Sequence, residues 1–279
     1  MISLAFLVCG EFWNLNVWTQ WICDAQTQHV IEGVVVHFSP DSKKSIGEND
    51  TNFSSVVNWI EILNEKNIKA SMIPSVPTSH RLPSLMKAEL LLFDECLSLF
   101  NNSTHFLLLS EKTIPLLNPQ EVLLAVLRTE DKSASEIYPT FTPEFAHTLL
   151  NNYAIHFEAG SQFILLHAKQ YNEIREKAHK VLQECWSSCD WIKENINFDE
   201  FLLHSLLHPV NSPIIYCEFT PGSMQSKEFS EEWCIQNLPR FIRQNRRSSI
   251  QCLGMRKVRC TESVQSILEK YFILESNKK

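Results

Sequence analysis

Apolar runs alternate with helix-like segments through the first 130 residues, and no other feature of the chain limits its fold so narrowly. The runs cover residues 3–9, 30–38, 68–73 and 104–109. The first is continuous, the pattern of a strand buried on both faces of a sheet, and 30–38 is rich in β-branched residues. The segments between them carry helical periodicity. Residues 13–25 place Val17, Trp18, Trp21 and Ile22 on one face, and 56–64, 85–100 and 119–129 read the same way. Ser84 is the expected N-cap of the third helix. Residues 41–54 and the Pro/Ser/Thr-rich stretch 74–83 read as loops. Strands separated by helices predict βαβ units and a mostly parallel central sheet flanked by helices.

Beyond residue 130 the pattern loosens. Residues 162–166, 214–219 and 250–252 read as short strands, and 169–186, 198–207 and 262–274 as helices. Residues 221–248 are polar and increasingly basic, with no element assigned. No repeat or low-complexity linker divides the chain. The expectation is a single α/β domain over 1–279, with a βαβ half at 1–130 and an elaborated half at 131–279. A composition of 44% hydrophobic and 20% charged residues suits a globular core. A net charge of −7 argues against a basic nucleic-acid surface. No apolar stretch reaches the roughly 18–20 residues of a membrane span. The apolar start lacks a basic flank, so neither signal peptide nor anchor is expected. Nine cysteines without a C-x-x-C pair fit a reducing compartment, and a cytoplasmic location is expected.

Parallel sheets bind ligands beyond the C-terminal ends of their strands. His37 and Ser39 fall at one such end, and Ser110, Glu111 and Lys112 at another. No glycine-rich dinucleotide or P-loop pattern accompanies them. Asp199 and Glu200 precede an apolar helical run. A carboxylate there can take a proton from a hydroxyl, or simply complement the helix dipole. Arg256 and Lys257, with Arg259 close by, can hold phosphate oxygens or form a solvated basic loop. No Asp-x-Asp occurs to hold a divalent ion, so the cationic role would fall to Arg or Lys. His204 and His208 stand at i, i+4 but lack the glutamate of a zincin motif, and read as structural. Trp13, Trp18 and Trp21 read as core, and Arg240, Arg243, Arg246 and Arg247 as surface.

Several segments resemble the core-2/I-branching β-glycosyltransferases, a family that includes the xylosyltransferases. Leu4-Ala5-Phe6-Leu7 with Trp18 is similar to the family's first strand and helix. Val35-Val36-His37-Phe38-Ser39-Pro40 resembles its V-H-x-D/S-P segment, and Met86-Lys87-Ala88-Glu89-Leu90-Leu91 its M-x-A-E helix. The stretch 106–116, FLLLSEKTIPL, resembles F-x-L-L-S-x-x-x-I-P-L most specifically. Gly160-Ser161-Gln162-Phe163, Asp199-Glu200-Phe201 and Arg256-Lys257-Val258 resemble three further segments. The resemblance implies a GT-A-like fold and inverting, metal-independent transfer from a UDP-sugar to a glycan or other hydroxyl acceptor. It makes Glu200 the base and gives Arg256 and Lys257 the diphosphate. It assigns His37, Ser39, Ser110 and Glu111 to the donor site. No cofactor is implied beyond the UDP-sugar itself. The segment 218–227 lacks a Trp, so no acceptor residue is identified. That gap leaves a second expectation, a non-catalytic interaction protein on a degenerate transferase scaffold.

Overall fold

A computed structural model describes residues 1–39, 51–78, 83–129, 131–135, 137–138, 159–160, 164–186, 198–207, 214–217, 229–248, 251–255 and 257–273. The predicted loop at 41–50, Gln162, Phe163, His156, His208 and Arg256 lie outside these residues.

The alternation produces the expected sheet. Strands β1 (Ile2–Cys9), β2 (Ile31–Ser39), β3 (Lys69–Met72) and β4 (His105–Ser110) run parallel in the order β3-β2-β1-β4. A short β8 (Leu165–His167) adds to β4 in the antiparallel sense. β1 and β2 are buried along almost their whole length, which is why apolar residues dominate their sequences; the buried Ser3 and Glu32 both bond to Ser103. Gly33 in β2 is required by space. A Cβ there would overlap the Phe100 ring and lie 2.6 Å from the Lys69 carbonyl oxygen.

Helix α1 (Leu15–Thr27) joins β1 to β2, α2 (Thr51–Glu65) joins β2 to β3, and α3 (Pro83–Leu99) joins β3 to β4. The connection reverses direction after β3. With right-handed crossovers, α3 therefore covers the face opposite α1 and α2. Helix α4 (Pro119–Leu127) packs against α1. Helices α5 (Ala168–Trp186) and α6 (Phe198–Leu207) pack against α3 and against each other. Phe6 on β1 sits at the centre of the first core, 5.2 Å from the Trp18 ring and 5.6 Å from that of Trp59.

Two helix starts differ from expectation. α2 begins at Thr51, inside the stretch read as loop, with the Thr51 carbonyl accepting the Ser55 hydroxyl. α3 begins at Pro83, so Ser84 lies buried in its first turn and is not its cap. Proline suits the first helical position because that amide has no intrahelical partner.

A second sheet orders β5 (Ile114–Pro115), β10 (Gln251–Met255) and β9 (Ile214–Cys217), with β10 central. A two-stranded ribbon pairs β6 (Ile137–Tyr138) with β7 (Ala159–Gly160). Helices α7 (Glu231–Arg247) and α8 (Glu262–Ile273) close a second core of Ile114, Leu116, Leu238, Ile242, Met255 and Val264 around the second sheet. α7 corrects the expectation of an element-free 221–248. Ser230 caps it, accepting the Trp233 N–H at 3.2 Å, and Cys234, Leu238 and Ile242 form its narrow buried stripe. Arg246, read as surface, points inward instead. Its guanidinium lies 2.7 Å from Glu121, and Glu121 also completes the capping box of α4 with Asn118. Among the described residues, no helix is long and apolar enough to cross a membrane.

Candidate functional site

The strand order reverses between β1 and β4, and beyond their C-terminal ends lies the crevice position at which such sheets usually bind ligands. The register fixes which residues gather at that end. Leu7 pairs with His37 on one side and Ser110 on the other, and Cys9 pairs with Ser39. Because side chains alternate along a strand, His37, Ser39 and Ser110 share one face of the sheet. The motif residues of two separate segments are thus brought together by pairing through β1.

His37 is fully buried, and burial pushes its pKa down to about 4. Its Nε2 accepts the Val76 N–H at 3.0 Å, which needs a free lone pair. The ring is therefore neutral, with its proton on Nδ1, and among the described residues Nδ1 has no hydrogen-bond partner. Ser39 Oγ accepts the Thr78 N–H at 3.1 Å. Together these bonds fix the chain that follows β3 across the end of β2. Ser110 and Thr113 exchange contacts at 3.2 and 3.3 Å, closing the turn that carries the buried Glu111.

After β1 the backbone turns at Gly10, where φ is +83° and no atom lies within 4 Å of the place a Cβ would take. Four residues later Asn14 ties three segments together. Its Nδ2 donates to the carbonyls of Thr113 and Val258, each at 3.0 Å, and its Oδ1 accepts the Cys260 N–H at 3.0 Å. Trp18 Nε1 adds a second donation to Thr113 O at 2.9 Å. The second sheet brings the remaining segment in. β10 pairs antiparallel with β5, Met255 opposite Ile114, so the chain beyond Met255 runs back toward Thr113. The Val258 N–H then reaches the Lys112 carbonyl at 3.4 Å. Lys257 sits in this segment in a left-handed conformation, φ +61°, half-buried, its carbonyl accepting the Phe229 N–H.

Trp13 is not a core residue as expected; it is half-buried at the rim of the crevice. Lys112 Nζ stands 4.7 Å from its ring centre and the Arg259 guanidinium 4.9 Å. Arg259 also pairs with Glu11 at 2.6 Å. Trp18 and Trp21 are core, with their indole N–H groups bonded to the carbonyls of Thr113 and Leu117.

His37, Ser39, Ser110, Glu111 and Lys257 therefore belong to one end of the sheet system. Glu200 lies in the first turn of α6, on the α3 side of the molecule; the side chains of that turn, 198–200, are outside the described set. His204 is buried and bonded to Ser135 at 2.8 Å, a structural role. Among the described residues no group of three His, Cys, Asp or Glu side chains could hold a metal ion. Sequence reasoning placed Lys112 at a strand end but missed Asn14 and Trp13 beside it.

No protein-family model matches the chain, and no curated protein matches it in sequence. Among solved structures the chain is similar to mouse xyloside xylosyltransferase 1 in its apo form. Identity there is 8% and the TM-score 0.38, over 94% of this chain and 99% of that one. It is also similar to S. aureus TarS 1–349 at 10% identity and a TM-score of 0.26, over 96% of this chain and 91% of that one. Superpositions this loose carry no weight for the activity, which must come from the residues.

Proposed function

We propose that this chain is an inverting glycosyltransferase on a GT-A-like fold, moving a sugar from a UDP-sugar to a hydroxyl acceptor without a metal ion. The observation that carries this reading is the Asn14 tie, which joins the Lys257 segment to the ends of β1 and β4. The segment from the far end of the chain that carries Lys257 is thus tied to the end of the F-L-L-L-S segment. Neither Lys257 nor the strand ends alone would be informative; the tie between their segments supports a seat for a nucleoside diphosphate.

In this reading the nucleotide lies over the ends of β1, β2 and β4, near His37, Ser39, Ser110 and Glu111. Lys257 and Arg256 face the diphosphate. Glu200 takes the proton from the acceptor hydroxyl as its oxygen attacks the anomeric carbon. The bond from that carbon to the UDP oxygen breaks on the opposite side, which inverts the centre. The cations stabilise the charge that grows on the departing UDP. Metal independence is supported by the lack of any Asp-x-Asp in the sequence.

The test is a screen of UDP-sugars for donor hydrolysis and transfer, run with and without EDTA. Activity is expected to survive EDTA; a strict Mn²⁺ requirement overturns the metal-free mechanism. Glu200→Gln is expected to keep UDP binding and lose about 10²- to 10⁴-fold in transfer. Near-normal turnover by that variant removes Glu200 from the role of base. UDP at about 100 times its Kd should stabilise the fold by about 2.7 kcal/mol. No thermal shift with UDP, and no turnover, would leave the interaction-protein reading standing.

A further inference from the structure

We infer that Lys112 and Arg259, presented by Trp13, form a diphosphate clamp, and that Glu11 occupies it as a built-in competitor until the donor arrives. The inference rests on the nucleotide reading above and adds residues and regulation to it.

Four observations lead there. Trp13, Lys112 and Arg259 come from the connections after β1, β4 and β10, three segments that Asn14 fastens to one another. Both cations stand over the same indole ring, at 4.7 and 4.9 Å from its centre. An indole ring attracts cations without neutralising them, so Trp13 can position both charges with their field still available. Beside them Gly10 adopts φ +83° with no atom within 4 Å of where a Cβ would stand. A glycine in that conformation lets a ligand approach the backbone closely.

The fourth observation is the Glu11–Arg259 pair. It is short, 2.6 Å, yet its side chains are 59% and 53% exposed. Exposed pairs of this kind contribute little to stability and exchange readily with other anions. Glu11 follows Gly10 directly, so its carboxylate stands where a phosphate seated over Gly10 would meet Arg259. A diphosphate carries more charge than one carboxylate and offers Lys112 a partner as well. The donor therefore displaces Glu11, and Glu11 reclaims Arg259 as UDP leaves. No bond is made or broken covalently in this exchange.

The experiment is calorimetric titration of the whole chain with UDP, and with uridine as the ligand that lacks phosphates. Lys112→Ala and Arg259→Ala should each weaken UDP binding about tenfold, the scale of one charged hydrogen bond. Uridine affinity should not change. Glu11→Gln should tighten UDP about two- to fivefold, the scale of an exposed ion pair. Melting temperatures of all three variants should match wild type, because these side chains lie at the surface rim. UDP affinity unchanged in both Lys112→Ala and Arg259→Ala overturns the clamp while leaving the nucleotide reading intact. Affinity equal to or below wild type in Glu11→Gln overturns the competitor role. If the unaltered chain binds no UDP at all, both this inference and the nucleotide reading fall.

Discussion

At the scale of single residues, Asn14 has the most to lose. Its amide makes two donations and one acceptance, all to backbone groups of segments 99 or more positions away in sequence, and it is 1% exposed. Asn14→Ala removes all three bonds and orphans the Val258 carbonyl and the Cys260 amide, while the Thr113 carbonyl keeps the Trp18 indole N–H. Each orphaned buried group costs about 1–3 kcal/mol, so a loss of about 2 kcal/mol or more is expected by denaturant unfolding. Asn14→Asp is the sharper variant. It keeps the acceptor for Cys260 N–H but places a carboxylate against the Thr113 and Val258 carbonyls. Asp should therefore be no better than Ala despite its matching size. If Asp restores wild-type stability, the two donations contribute nothing. Gly33 poses a different constraint at the same scale. Gly33→Ala drives a methyl into the Phe100 ring and the Lys69 carbonyl, and overpacking of this sort costs about 1–3 kcal/mol.

At the scale of elements, the central strands and the first helices follow from sequence because each is stabilised locally or buried on both faces. β1 and β2 are buried on both faces, so apolar letters dominate them and reveal them. α1 shows its buried face at Val17, Trp18, Trp21, Ile22 and Ala25, a helical spacing. α7 hid for physical reasons. Its buried stripe is one side chain wide, its remaining positions are polar, and Pro239 sits inside it, where the missing N–H argues against a helix. β5 has two residues and exists only through its pairing with β10, far along the chain, a contact no local pattern encodes. The site divides the same way. His37, Ser39, Ser110 and Glu111 were legible as residues at strand ends, and Lys257 as a cation. Asn14 gives no local signal, since its partners are backbone atoms of remote segments. Trp13 was assigned to the core with Trp18 and Trp21 because composition cannot distinguish a buried indole from one at a rim.

An element-scale prediction concerns the joint between α4 and α7. Asn118 and Glu121 form a reciprocal cap, with bonds of 2.9 and 2.8 Å, and Arg246 closes on the same Glu121 carboxylate. Asn118→Ala should cost about 1 kcal/mol for the lost cap. Glu121→Gln should cost more than that, because it also leaves the Arg246 guanidinium, only 11% exposed, without its counter-charge. A double-mutant cycle between Glu121 and Arg246 checks this. Additive losses would mean that the pair does not couple the helices.

For the whole molecule, the buried histidines set the acid limit. Burial pushes His37 and His204 down to about 4. Burial does the same for His105, with the neighbouring His167 ring opposing its charge, again to about 4. His167, 4.8 Å from His105 ring to ring, is lowered too, mainly by burial. An unfolded histidine titrates near 6.5, above these folded values. Between the two the unfolded chain binds more protons than the native one, so stability rises with pH there. The contribution of each ring is complete above about pH 6.5 and is lost as the pH falls toward 4. One such ring gives a slope of about 1.4 kcal/mol per pH unit inside that window. These rings lie in different parts of the fold. His37 is at the crevice, His105 and His167 at the opposite end of β4 and β8, and His204 on α6. The losses of His37, of His204 and of the His105–His167 pair taken as one unit should therefore add. Unfolding free energies measured by urea at pH 7.5, 6.5, 5.5 and 4.5 should be level between the first two and fall steeply through the last two. His204→Gln, whose amide can still meet Ser135, should lower the slope by about one ring's share while His37 and His105 keep theirs. A profile as steep in that variant as in the original chain would mean that His204 already carries its proton in the native state.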